Sequence, residues 1–298
     1  MNSHFIITSP GKTASFWLAN ALDMHPDILC SHGTLSIPAS ELYISGWNSH
    51  EMIGSFWKQQ KISNALKEFL NKSIGDSIEK EHDIFYKRSL DHFFSIQENM
   101  GKAKYYGNVH GFTFYALLGK IKKTTYIYKI ANMQRHPVTL IESAFGKSDT
   151  FNHLKTLEAY NHIFDPVVSK YNLDMTPYNL FFIYHCYRLE EYFISYQTPQ
   201  LYHIPMERIT KNKDYFCSIL KMLCSEEIEI SDEYINSVFT MGRVNIHGNT
   251  KKDPITIYNN WDIWQKELFQ EMLFSYQDIF PKAKELGYDL EYFTNPIK

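Results

Sequence analysis

The stretch that most constrains this chain is residues 4–18, HFIITSPGKTASFWL. It opens on an apolar run with the β-branched pair Ile6 and Ile7, breaks at Ser9-Pro10-Gly11, and continues with Phe16, Trp17, Ala21 and Leu22 at helical spacing. The pattern predicts a strand, a tight loop and a helix start. Such a turn is an anion cradle, because the first N–H groups of the helix lack intrahelical partners and lie at the positive end of its dipole. Lys12 adds a mobile cation, and Thr13 and Ser15 add hydroxyl donors. A plain helix start, with no ligand, accounts for the same residues.

The remainder alternates between strand-like and helix-like segments. Helices are expected over residues 14–24, 49–70, 77–98, 112–118, 138–145, 151–169, 178–196, 214–223 and 232–239, and strands over 28–31, 104–109, 124–131 and 200–204. A loop with Gly242, Gly248 and Pro254 then leads to a last amphipathic helix over 261–276. This alternation predicts an α/β fold, a central parallel β-sheet flanked by helices, with ligands at the carboxyl ends of the strands. The 298 residues fit one domain spanning 1–298. A net charge of −3 sets up no global field for nucleic acid or an anionic membrane, so a polyanionic ligand needs a local basic patch. The four cysteines show no C-x-x-C pair or metal-ligand spacing, which suits reduced core thiols and a cytoplasmic setting. No apolar run approaches the roughly 18 residues of a membrane span, and no signal peptide precedes the first strand.

Gly11-Lys12-Thr13 matches the end of the nucleoside-triphosphatase pattern G-x-x-x-x-G-K-[ST], but Ile6 stands where its first glycine belongs. The segment resembles instead the 5′-phosphosulfate loop of the sulfotransferases that use 3′-phosphoadenosine 5′-phosphosulfate (PAPS), P-K-S-G-T-T-W-L. Gly11, Lys12, Thr13, Ala14, Ser15, Phe16, Trp17 and Leu18 fall on that pattern. Gly11 replaces the usual Pro, Ala14 the usual Gly, and Phe16 the second hydroxyl residue. Sulfotransferases also place an Arg after a hydrophobic strand and a Ser eight residues later, both on the cofactor's 3′-phosphate, and Arg135 and Ser143 have that spacing. A guanidinium fork suits a phosphate dianion. Taken alone, Arg135 could equally pair with a carboxylate such as Glu142.

The resemblance implies further assignments. Lys12 would stabilise the departing 5′-phosphate. The acceptor's proton needs a base, which cytosolic sulfotransferases take from a His just after a strand. His110, in YGNVHGF, follows that plan, and His32, in CSHG, is the second candidate. Glu207 falls on the structural glutamate of the family's Tyr-Glu-x-Leu element, and Arg243 on its late basic loop over the 3′-phosphate; Lys251 and Lys252 read as solvated. Trp57 is one of several aromatics that could stack on adenine. His25, His136 and His203 read as structural. The expected architecture is P-loop-like with extra helices, and the expected activity is sulfuryl transfer to a hydroxyl or amine of a small-molecule or glycan acceptor. Adenosine 3′,5′-bisphosphate would be the product, with no metal, nucleic acid or membrane span involved. Two alternatives stay open, a P-loop kinase or other nucleotide enzyme requiring Mg²⁺, and a non-catalytic binding module on the same fold.

Overall fold

Phe5, Ile6 and Ile7 are all buried, so the first strand has no solvated face. Continuous apolar runs of this kind belong to parallel sheets covered on both sides. The computed structural model describes residues 3–10, 13–32, 94–95, 97–99, 103–110, 128–144, 161–198, 201–241 and 253–295. Its strands are β1 (Ser3–Thr8), β2 (Ile28–His32), β3 (Tyr105–Val109), β4 (Tyr128–Gln134) and β5 (Tyr202–Pro205), in one parallel sheet of order β2-β3-β1-β4-β5. Phe5 pairs in register with Gly107 of β3 and Lys129 of β4. The helices are α1 (Ser15–Asp23), α2 (Pro137–Ala144), α3 (Asn161–Tyr171), α4 (Pro177–Tyr196), α5 (Met206–Ile209), α6 (Lys213–Leu223), α7 (Asp232–Thr240), α8 (Pro254–Asn259), α9 (Ile263–Phe274) and α10 (Phe280–Glu285). The expected helices over 49–70 and 112–118 lie outside the described residues, as does most of 77–98, of which residues 94–95 and 97–98 are helical.

The chain divides into two compact units, residues 1–133 with 208–244, and residues 134–207 with 245–298. In the first, α1 is buried almost all round, through Phe16, Trp17, Leu18, Ala19, Ala21 and Leu22. Its end is tied to β2 by the Asp23 carboxylate, which accepts the Cys30 N–H at 2.7 Å. Later chain covers α1. Trp17 packs edge-on against Phe216 and Phe239, the Tyr234 hydroxyl donates to the Ala21 carbonyl at 2.7 Å, and His25 Nε2 donates to the Glu229 carbonyl at 2.8 Å. Lys129 Nζ reaches the Cys224 carbonyl at 2.8 Å. Buried Gln97 donates to Ser31 Oγ and the Gly107 carbonyl, holding its helical segment to β2 and β3.

The second unit has an aromatic core in which Phe182, Trp261, Phe269, Tyr258 and Phe293 interlock. Helix α4 begins at Thr176, whose hydroxyl accepts the Asn179 N–H, with Pro177 in the first turn. Pro254, expected in a loop, instead opens α8 under an Asp253 cap that accepts the Thr256 N–H at 2.9 Å. The last long helix is shorter than expected, and α10 and a 3₁₀ turn at Glu291–Thr294 follow it. The strand after residue 200 stops at Pro205, and Met206–Ile209 is helical.

Candidate functional site

In the first unit, β1, β3 and β2 deliver three polar groups to their carboxyl ends. Thr8 is opposite Asn132 of β4, and its hydroxyl donates to Asn132 Oδ1 at 2.9 Å, with the Ala131 carbonyl at 3.3 Å. The loop then turns into α1. Ser9 Oγ and Thr13 Oγ1 lie 2.6 Å apart, and buried Thr13 donates weakly to Met133 Sδ at 3.9 Å. Thr13 therefore knits the loop to its own base.

Ala14, where the sulfotransferase pattern has glycine, adopts the left-handed conformation with φ 57°. The backbone shape that favours glycine is kept despite the side chain, at a cost of about 1–2 kcal/mol. Ala14 offers α1 no side-chain cap.

Two histidines flank this loop. His110 continues β3, its N–H donating to the Ile7 carbonyl at 2.8 Å, and it is also left-handed, with φ 64°. The two left-handed non-glycine residues, Ala14 before α1 and His110 after β3, are the sort of backbone strain that functional sites store. His110 Nδ1 lies 3.0 Å from the Ser9 carbonyl. A carbonyl only accepts, so Nδ1 carries the hydrogen, and in the neutral ring Nε2 carries the lone pair. His32 ends β2 opposite Val109, with Nε2 3.1 Å from Ser15 Oγ. Its ring centre lies 5.1 Å from that of Phe16, with the two rings nearly perpendicular, and 5.5 Å from that of His110. Burial, with a smaller contribution from nearby His110, pushes the His32 pKa down to about 3. Phe16, where the family has a hydroxyl, is buried and supplies a wall for His32.

Arg135 and Ser143 belong to the second unit. Arg135 is buried, its Nε donating to Thr139 Oγ1 at 3.1 Å. Its backbone N–H donates to the Tyr192 hydroxyl at 3.1 Å, and that hydroxyl donates back to the Arg135 carbonyl. Burial lowers the Arg135 pKa, and the Glu207 carboxylate opposes the shift. Glu207 accepts the His136 N–H at 3.3 Å and the Tyr288 hydroxyl at 2.6 Å, which ties together the start of α2, α5 and the C-terminal segment. Ser143 is also buried, with its hydroxyl donating to the Leu140 carbonyl at 3.2 Å. His136 is held neutral, its pKa pushed down to about 4 by burial and then by the Arg135 charge.

Gly11, Lys12, Arg243, Trp57, Lys251 and Lys252 lie outside the described residues. Within them, Thr13, Ala14, Ser15, Phe16, His32 and His110 come together in one unit. Ser9 and Asn132 join them unforeseen. Ser9 was legible only as a strand breaker, although its carbonyl fixes the His110 tautomer.

Among the described residues, no group of three or more His, Cys, Asp or Glu is arranged to hold a metal ion, and no helix is long and apolar enough to cross a membrane. Compared with known proteins, the chain matches no family model and no curated protein.

Proposed function

We propose that this protein is a sulfotransferase that moves the sulfuryl group of 3′-phosphoadenosine 5′-phosphosulfate to an acceptor hydroxyl or amine. The observation that carries the reading is the bond from His110 Nδ1 to the Ser9 carbonyl at 3.0 Å. It makes the proposed base and the proposed phosphosulfate loop one piece of structure, and it leaves the basic lone pair on Nε2.

In this mechanism the N–H groups of the first turn of α1 and the Ser15 hydroxyl bind the 5′-phosphate side of the donor. His110 Nε2 takes the acceptor's proton as the acceptor oxygen or nitrogen bonds to sulfur. The bond from sulfur to the bridging oxygen breaks with its electron pair going to that oxygen, and Lys12 meets the charge left on the departing 5′-phosphate. By the resemblance, Arg135 and Ser143 would hold the 3′-phosphate, and Arg243 would contribute to the same group. The acceptor is a small molecule or a glycan.

Calorimetric titration with adenosine 3′,5′-bisphosphate, beside ATP with Mg²⁺, tests the reading. Bisphosphate binding that needs no metal is expected. Binding of ATP with Mg²⁺ alone replaces it with a kinase-type nucleotide enzyme, and silence from both ligands removes nucleotide binding altogether.

A further inference from the structure

The His32 ring reaches the Ser15 hydroxyl at the start of α1, Nε2 to Oγ at 3.1 Å, and that bond has two possible polarities. If Ser15 donates to Nε2, the serine oxygen turns lone pairs outward and repels an anion. If Nε2–H donates to Ser15 Oγ, the serine proton is released to point away from His32. Ser15 is the first residue of α1, so only the second polarity adds to the donor set at the helix start.

We propose that His32 is a positioning residue whose Nε2–H donates to Ser15 Oγ and so turns the Ser15 hydroxyl into a donor for the 5′-phosphate of a phosphate-ester ligand. The proposal rests on the anion-binding reading of the loop given above. It also separates the two histidines. His32 keeps one protonation state throughout the physiological range, since burial holds its pKa down at about 3. A nitrogen of such low basicity is a poor proton acceptor, which leaves that task to His110. A neutral His32 ring 5.5 Å from His110 also adds no positive charge to oppose proton uptake there. The perpendicular packing of Phe16 against His32 restricts the plane of the His32 ring and hence the direction of its N–H.

The test uses adenosine 3′,5′-bisphosphate as probe on the full chain, with a thermal melt confirming that each variant folds. In His32→Gln the side-chain amide places an N–H near the Nε2 position, and affinity is expected within about threefold of wild type. His32→Phe and Ser15→Ala are each expected to weaken binding about tenfold, as for one charge-assisted hydrogen bond. The double variant is expected to lose no more than either single one. Nitrogen-15 spectra of wild type should show His32 protonated at Nε2 and not titrating between about pH 5 and 8. A His32→Phe variant that binds like wild type, additive losses, or a proton on Nδ1 overturns the role of His32 while leaving the anion site standing. A wild type that binds no bisphosphate overturns the anion-binding reading itself, and the ligand half of this proposal with it.

Discussion

The Phe5 ring lies so close to Gly107 that a Cβ on Gly107 would sit 2.0 Å from Phe5 Cζ. The two residues are paired in register across β1 and β3, and Phe5 is fully buried. The strands that carry the loop and His110 therefore meet through a glycine that has no room for a side chain.

Gly107→Ala should destabilise the protein by about 1–3 kcal/mol, the usual cost of overpacking a core. The added Phe5→Leu change should recover part of that loss by shortening the ring side chain. Urea denaturation of both variants measures it, and a single variant as stable as wild type would show that Phe5 swings aside at no cost.

Ala14→Gly should be neutral or stabilising, by up to about 1 kcal/mol, because the left-handed backbone at φ 57° strains alanine and not glycine. Glycine at other first-turn positions of helices carries the opposite expectation. A loss of stability at Ala14 would mean that its methyl group packs productively.

If the proposed function holds, Lys12→Ala should abolish sulfuryl transfer while preserving much of the bisphosphate affinity. Arg135→Lys, which keeps the charge and loses the fork, should weaken that affinity about tenfold. His110→Ala should cut turnover by about 10²–10⁴ with ligand binding intact. Equal losses from the Lys12 and Arg135 variants, or turnover that survives the His110 change, would reassign these roles.

Acid should destabilise the second unit. Burial pushes the pKa of His203 down to about 4, with help from Lys282, and His136 stands at about 4 for the reasons given above. Both lie below the ordinary imidazole value of 6.5, so the unfolded chain takes up protons first as pH falls. Stability from these groups is whole above that ordinary value and is lost on the way down to about 4, where the native rings protonate too. The pair accounts for a loss on the order of a few kcal/mol. His203→Gln should flatten the dependence of the melting temperature on pH between about 7 and 4.5. An unchanged slope would place the acid sensitivity elsewhere.

The strands and the loop were legible from local pattern. Ile6-Ile7 and the Ser9-Pro10-Gly11 break located β1 and its turn, and the fully buried strand explains why no alternation appeared. The fourth strand was expected to end at Ala131, because Asn132, Met133 and Gln134 have low strand propensity. It continues to Gln134, whose buried side-chain N–H₂ donates to Ser195 Oγ and His203 Nδ1, partners 61 and 69 residues away. Tertiary bonds of that separation leave no trace in a sequence window. Pro254 was read as a breaker, although Asp-Pro is also a cap followed by a first turn. Within the site, residue types were readable and their partners were not. Ser15 and His32 were separate candidates, and their 3.1 Å contact depends on β2 ending beside the start of α1.

The first unit is assembled from two stretches of chain, 1–133 and 208–244. Its earliest helix, α1, is completed by Phe216, Tyr234 and Phe239, which leave the ribosome about two hundred residues later. During synthesis Trp17 and the carbonyl of Ala21 wait without their cover while the whole of 134–207 is made. Closing so long a loop is slow relative to local folding. Shortened forms that end before residue 208 should therefore be retained by chaperones or degraded, and the nascent chain completes the cover of α1 only after 208–244 has been made.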